Sequence, residues 1–129
     1  MKGSVLTLYE KTAEEFADRV RRAFGDAVHS IVLYGSVAKK TAGSHSDIDI
    51  LVLTEDGEAL LDRLVDISES LDFENNYDTF LVVTSFTPER LMELSVGRFP
   101  IADHVLREGI VLYDDGTFER IRENALAVG

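Results

Sequence analysis

The chain has 129 residues, of which 45% are apolar, and its formal net charge is −11. This length suits one hydrophobic core, so we expect a single domain over residues 1–129. An acidic surface repels polyanions, which argues against direct binding of DNA or RNA. The lack of cysteine excludes disulfides and thiolate chemistry and favours a cytoplasmic protein. No apolar run is long enough for a membrane span.

The first predicted element is a helix that ends near residue 24. Residues 1–9 show no clear pattern and are predicted to form a frayed tail or an edge strand. Thr12 and Glu15 match a capping box at a helix start. Apolar residues then keep helical spacing as far as Phe24, and Gly25 is expected to end the helix.

Strands and helices alternate along the rest of the chain. His29 and His104 are expected on a strand edge and a helix surface, not as metal ligands. Thr87 and Pro88 match the cap and first position of a helix. The predicted strands cover residues 27–34, 50–54, 77–84 and 110–113, and the predicted helices cover residues 60–71, 87–96, 101–108 and 118–126.

The stretch over residues 35–50, between the first two strands, carries the chemistry. Gly35 permits a tight turn and a close approach of backbone to ligand. Ser36 is expected to cap a short helix over residues 37–40, whose N–H groups attract anions. Asp47 and Asp49 are two residues apart on a strand, so their carboxylates share a face. Adjacent carboxylates repel unless a cation binds them, and hard oxygen ligands suit Mg²⁺.

The same stretch also predicts the direction of the first two strands. The first strand must end at Gly35 and the second must begin at Asp47, because both ends contribute to one site. These neighbours should therefore run antiparallel. We expect an α/β (α+β) fold with a small mixed β-sheet flanked by helices.

Gly35-Ser36, followed eleven residues after Ser36 by Asp47-Ile48-Asp49, resembles the signature of the DNA polymerase β-like nucleotidyltransferase superfamily. More narrowly, it resembles the prokaryotic minimal nucleotidyltransferase (MNT) domains. The resemblance implies a polymerase-β-like nucleotidyltransferase fold. It also implies transfer of a nucleoside monophosphate, AMP from ATP above all, to an acceptor hydroxyl with Mg²⁺ or Mn²⁺. A polymerase is excluded, because one domain leaves no room for further polymerase subdomains.

The resemblance assigns the phosphate contacts. Gly35 and Ser36 would hold the β- and γ-phosphates, and Lys39 would neutralise a phosphate oxygen. Ser46 would orient the loop that carries the aspartates. Family members commonly read Gly-Ser-x-Ala-Arg-Gly, whereas this chain has Lys39 and Lys40, which lack the two-pronged arginine geometry.

The resemblance also assigns the metal ligands. Asp47 and Asp49 would bind the cation, and active members carry a third carboxylate on a later strand that can act as general base. Asp78 is the only acid in the predicted third strand, which makes it the candidate, with Glu74 as a weaker substitute. The alternative is that Asp78 only ends the turn at Asn75.

Two further classes of function stay open at this stage. MNT domains are commonly encoded beside HEPN-domain proteins, which are predicted RNases, and some attach AMP to a tyrosine of that partner. Residues 102–113 resemble the tail of free-standing MNT proteins. The first alternative is a nucleotide-binding module with weak catalysis that complexes its HEPN-type partner. The second is a small-molecule, aminoglycoside-type nucleotidyltransferase, and a homodimer is compatible with each.

Overall fold

The structure is a computed structural model that describes the backbone of residues 2–43 and 45–128 and the side chains within Thr7–Ala127 except Ser44. The described chain forms four strands, six α-helices and two short 3₁₀ turns, Gly25–Ala27 and Gly57–Leu60. In chain order the main elements are α1 (Lys2–Phe24), β1 (Val28–Tyr34), α2 (Gly35–Ala38), β2 (Ile48–Thr54), α3 (Leu61–Glu74), β3 (Leu81–Phe86), α4 (Pro88–Val96), α5 (Pro100–Glu108), β4 (Ile110–Asp114) and α6 (Thr117–Val128). No described helix is both long and apolar enough to cross a bilayer.

The strands form one mixed sheet in the order β3-β2-β1-β4. β1 runs antiparallel to both β2 and β4, whereas β2 and β3 run parallel. The antiparallel pairing of the first two strands was the sequence prediction, and it is confirmed. Because β2 and β3 are parallel, their N-terminal ends lie at the same edge of the sheet, beside the C-terminal end of β1.

Each face of the sheet is covered by its own layer of helices. Successive strand residues point to opposite faces, so neighbouring apolar residues divide between two cores. Ile31 and Ile50 pack with α1 and α3 on one face. Val32 and Leu51 pack with α4, α5 and α6 on the other. The sequence prediction of a mixed sheet flanked by helices is confirmed.

The N-terminal prediction was wrong, because residues 2–9 are helical and belong to α1. Met1 lies outside the described residues. Tyr9 is buried in line with Ala13 and Phe16, so the apolar stripe of the helix continues upstream of the predicted start. Thr12 is buried within the helix, and its hydroxyl donates to the Leu8 carbonyl at 2.8 Å instead of capping the helix.

The third strand also begins later than predicted, at Leu81 instead of residue 77. Asn76 and Tyr77 both have positive φ, at 55° and 59°, so the chain turns at these residues. The Tyr77 N–H donates to the Asp72 carbonyl at 2.8 Å and the Asp78 N–H donates to the Asn75 carbonyl at 3.0 Å. These local hydrogen bonds use the backbone groups that a strand would need for pairing.

Candidate active site

The turn at Gly35 brings the C-terminal end of β1 against the side chain of Asp49. Gly35 has φ +77°, a left-handed conformation that glycine adopts at low cost. A Cβ at this position would collide with the Asp49 carboxylate oxygen Oδ2 and lie 3.2 Å from Cγ. The Gly-Ser turn and the second aspartate of the Asp-x-Asp pair are therefore in direct contact.

The register of the sheet explains why the contact forms. Asp49 is directly opposite Tyr34 on β1, and Gly35 follows Tyr34. Ile48 and Ile50 are fully buried on the α1–α3 face, which directs Asp49 to the opposite face. The alternation of side chains along β2 therefore places the Asp49 carboxylate at the turn.

Asp49 is affected both by burial and by the charge of Asp47. Burial raises the pKa of Asp49 above the ordinary aspartate range, and the charge of Asp47 raises that pKa further. Asp49 is half-buried, whereas Asp47 is exposed at the mouth of the strand. The arrangement concentrates negative charge at one partly desolvated point, which is the electrostatic environment that a cation would relieve.

Ser36 lies within α2 and does not cap it, so the predicted cap was wrong. The N-cap of α2 is Tyr34, which makes no side-chain capping bond, and the helix covers Gly35–Ala38 instead of residues 37–40. The Ser36 carbonyl accepts hydrogen bonds from the Thr41 N–H at 2.9 Å and hydroxyl at 3.4 Å. The helix begins earlier because the left-handed Gly35 lets the chain turn immediately after β1.

The three other polar residues predicted for the loop contact the protein itself. Lys39 Nζ lies 3.5 Å from the Glu108 carboxylate of α5, and Lys40 Nζ lies 2.7 Å from that of Glu10 in α1. Ser46 Oγ accepts a hydrogen bond from the Gly43 N–H at 2.8 Å. Ser46 thus closes the loop just before Asp47, whereas Lys39 would have to exchange Glu108 for a phosphate in order to bind one.

Asp78 and Glu74, the candidates for the third carboxylate, lie outside this cluster. Asp78 is exposed in the turn before β3. Glu74 forms a two-pronged pair with Arg19, at 2.8 Å to each oxygen, and this pairing lowers its pKa. The residues that the structure describes contain no group of three or more His, Asp or Glu side chains that could hold a metal. The residue of β3 in register with Asp49 is Val82.

The chemistry of the two aspartates fits one divalent cation. Both offer hard carboxylate oxygens, and burial together with the charge of Asp47 raises the pKa of Asp49, which disfavours its charged form when no cation is near. Two carboxylates do not complete an octahedral site, so phosphate oxygens and water would supply the remaining ligands. The pair therefore fits a metal that arrives with a nucleotide.

Two residues of the site were not singled out from the sequence. Tyr34 is partly buried next to Asp49, its hydroxyl lies 3.5 Å from Thr84 Oγ1, and burial raises its pKa. Its position as the last strand residue before Gly35 was the available signal. Glu108 pairs with Lys39 from a distant part of the sequence, and no local pattern could have indicated that contact.

Comparison with known proteins agrees with this geometry. The sequence model of the family described as "Polymerase beta, Nucleotidyltransferase" matches residues 14–117. MJ0604 of Methanocaldococcus jannaschii, named as a candidate protein adenylyltransferase, is 29% identical over 104 residues, which cover 81% of this chain and 97% of the relative. MJ1305 of the same organism, similarly named, is 43% identical over 42 residues, which cover 33% of this chain and 29% of that relative.

Solved structures with the same fold come from toxin–antitoxin complexes. A toxin–antitoxin structure with AMP-PNP matches with a TM-score of 0.58 and 22% identity, covering 89% of this chain and 85% of the other. The MntA–HepT toxin–antitoxin structure matches with a TM-score of 0.53 and 17% identity, covering 92% and 85%. A complex of the tri-AMPylated HEPN toxin of Shewanella oneidensis with its MNT antitoxin matches with a TM-score of 0.50 and 20% identity, covering 92% and 84%.

The sequence match spans most of the chain, and it includes Gly35 and Asp49, whose contact the structure shows, as well as Asp47. The fold agrees with that match independently. This chain belongs to the polymerase beta nucleotidyltransferase family.

Proposed function

We propose that this chain transfers AMP from ATP to a hydroxyl group of a protein partner, as the MNT half of a pair with a HEPN-type protein. The observation that carries the proposal is the contact between Gly35 and the Asp49 carboxylate. It joins one residue assigned to the phosphates, Gly35, with one assigned to the cation, Asp49. The protein acceptor is suggested by the naming of MJ0604 and by the AMPylated toxin found with the MNT antitoxin of similar fold.

The residues divide the work of this reaction. The acceptor oxygen attacks the α-phosphorus of ATP, the bond to pyrophosphate breaks, and the hydroxyl proton is lost. Gly35 and Ser36 would bind the triphosphate at the turn, while Asp47 and Asp49 would hold Mg²⁺ or Mn²⁺. Bound metal would neutralise the charge that develops on the phosphate oxygens. Asp78 is the sequence candidate for the group that receives the proton.

A second candidate function is nucleotide binding with little or no transfer. The specific observation in its favour is that the described residues contain no group of three or more His, Asp or Glu side chains that could hold a metal. Without a third carboxylate, such a protein would act by complexing its partner in a nucleotide-dependent manner. The two candidates make the same prediction for ATP binding and opposite predictions for labelling of the partner.

Calorimetric titration with Mg²⁺–ATP tests the site itself. The wild-type protein should bind, and the Asp47→Asn, Asp49→Asn double variant should lose at least tenfold in affinity. A matched control is the Asp62→Asn, Asp66→Asn double variant, which removes two charges from the exposed face of α3. Equal binding by the wild type and the site variant would remove the two aspartates from the nucleotide site.

Incubation with α-labelled ATP and the product of the neighbouring gene tests the transfer. Label on the partner supports the enzyme, and binding of ATP without label supports the second candidate. Label on the chain itself would identify a second copy as the acceptor. The Asp78→Asn variant then tests whether Asp78 is the third carboxylate of the site. Loss of labelling would assign Asp78 to the site, and unchanged labelling would exclude it.

A further inference from the structure

Three aromatic side chains lie exposed around the C-terminal end of α3. Phe73, Tyr77 and Phe80 are 67%, 72% and 62% exposed, and the Phe73 and Tyr77 rings meet edge to face at 6.1 Å. Water contact with aromatic surface of this size is unfavourable, so a cluster of such rings marks an interaction surface. The rings line an open groove of about 910 Å³.

Acidic side chains line the same groove. The aromatic–acidic patch, as we name it, consists of Phe73, Tyr77, Phe80, Asp66, Glu69 and Glu74. Arg19 neutralises Glu74, but Asp66 and Glu69 are exposed. A surface that combines aromatic rings with carboxylates is complementary to lysine and arginine, which can pair with the acids and lie over the rings.

The loop that presents the rings is held from within by Asp72. This side chain is only 5% exposed, and its carboxylate accepts hydrogen bonds from Thr79 Oγ1 at 2.7 Å and the Leu81 N–H at 3.0 Å. Asn75 Nδ2 adds a bond to Thr79 Oγ1 at 3.2 Å. The rings are thus exposed on an ordered backbone, which reduces the entropy that binding would cost.

The patch borders the candidate active site. The Ile48 N–H, one residue after Asp47, donates to the Phe80 carbonyl at 2.9 Å. The backbone at Phe80 therefore lies next to the Asp47 end of β2, which places the patch beside the strand that carries the carboxylates. The groove between α4 and α6 is lined in part by the cationic side chains of Arg98 and Arg107, so it lacks this complementarity to a cationic segment.

We propose that the aromatic–acidic patch is the docking surface for the acceptor protein, and that it binds a segment in which lysine or arginine accompanies apolar side chains beside the acceptor hydroxyl. This inference rests on the proposed function, because it names the partner surface of the same site. The rings bind the apolar side chains, and Asp66 and Glu69 select the cationic ones. An acidic partner is repelled by the patch and by the net charge of −11.

The test uses two synthetic peptides with the same leucines and a central tyrosine, one with lysines and the other with glutamates in their place. Amide NMR shifts of the protein should move at residues 66–80 when the lysine peptide is added. The glutamate peptide should bind at least tenfold more weakly. Shifts centred on the groove between α4 and α6, equal affinity for both peptides, or no binding of the lysine peptide would overturn the proposal.

Matched variants test which residues of the patch contribute to the affinity for the lysine peptide. The triple variant Phe73→Ser, Tyr77→Asn, Phe80→Ser and the double variant Asp66→Asn, Glu69→Gln should each lose at least tenfold in affinity for the lysine peptide. The controls are the triple variant Met92→Ser, Val96→Ser, Leu126→Ser and the double variant Glu89→Gln, Glu123→Gln. All five residues are exposed and lie outside the patch. Circular dichroism verifies folding, and unchanged affinity in the patch variants would overturn the proposal.

Two further readouts separate this inference from the proposed function. Calorimetry with Mg²⁺–ATP reports the nucleotide site and should be unchanged in the patch variants. Transfer of label from ATP to the peptide tyrosine reports the reaction. Binding at residues 66–80 without nucleotide binding would retain the docking surface and refute the proposed function. If the wild type binds nucleotide and the patch variants keep the wild-type affinity for the peptide, the docking surface is refuted and the proposed function is retained.

Discussion

The Asp49 carboxylate occupies the space into which a side chain at residue 35 would project. The contact requires a glycine for two separate reasons, the positive φ and the close approach. It also means that the shape of the turn and the position of the carboxylate cannot be varied independently. Residues before and after a long polar loop thus behave as one structural unit.

Gly35→Ala should reduce both stability and nucleotide binding. The matched control is Gly25→Ala, since Gly25 has φ +52° and open space around its Cβ position. Both variants incur a left-handed backbone cost of about 1–2 kcal/mol, and only Gly35→Ala adds displacement of Asp49, which costs roughly another 1–3 kcal/mol. Urea unfolding measures the difference, and equal losses in the two variants would contradict the steric role of Asp49.

Asp49→Asn should stabilise the protein in the absence of metal and nucleotide. The raised pKa means that the folded state disfavours the charged form, so folding is weakened wherever Asp49 is ionised. Removing the charge should raise the free energy of unfolding near neutral pH by about 1 kcal/mol, and the gain should fade on acidification through the raised pKa. Unfolding at pH 4 and pH 8 tests this, with exposed Asp62→Asn as control. A loss of stability would refute it.

His29 should stabilise the fold in a pH-dependent manner. Its Nδ1 lies 2.6 Å from Asp115 and its Nε2 lies 2.8 Å from Glu55, joining the turns after β2 and β4. The hydrogen bond to Asp115 raises the pKa of His29 most, burial opposes it, and Glu55 adds to it. The contribution is therefore complete below the unfolded pKa of about 6.5 and is lost as pH rises through the folded value.

His29→Gln measures that contribution. The wild type should exceed the variant in stability by up to about 1 kcal/mol at pH 6, because the two carboxylates are largely exposed. The difference should shrink by pH 9. His104→Gln on the exposed face of α5 provides the control. A His29→Gln difference that is constant between pH 6 and pH 9 would contradict a charged histidine.

Asp72→Ala should destabilise the loop before β3. The substitution leaves the Thr79 hydroxyl and the Leu81 N–H without their acceptor, and bonds to a charged group contribute about 1.5–3 kcal/mol. Asp72→Asn retains one acceptor oxygen and should lose less. Hydrogen exchange at residues 75–81 should accelerate most in the alanine variant. Protection that stays at the wild-type level would show that the loop does not depend on Asp72.

Val82→Asp should strengthen metal binding at the site. Val82 is in register with Asp49 on the neighbouring parallel strand, so both side chains lie on the same face. A carboxylate there would approach the aspartate pair and raise Mg²⁺ affinity roughly tenfold, or about 1.4 kcal/mol, at some cost to stability without metal. Val82→Asn is the uncharged control. Equal Mg²⁺ titrations for the two variants would refute the prediction.

The sequence predicted the pairing of the first two strands better than the ends of the elements. The requirement that Gly35 and Asp47 meet was enough to predict antiparallel β1 and β2, because two strand ends converge on one point. The start of β3 could not be predicted, since it depends on hydrogen bonds from Thr79 and Leu81 to the buried Asp72 carboxylate, which no turn or strand pattern in the sequence indicates. The helical start of α1 was missed because the expected cap at Thr12 put the start of the helix downstream of Leu8 and Tyr9, which pack against the same core.

The two lysines of the polar loop reach in opposite directions across the sheet. Lys39 contacts α5 in one layer and Lys40 contacts α1 in the other. The loop is therefore tied by ion pairs to both helical layers. A protein that shifted either helix would therefore displace the turn at Gly35, and added salt would weaken both ion pairs together.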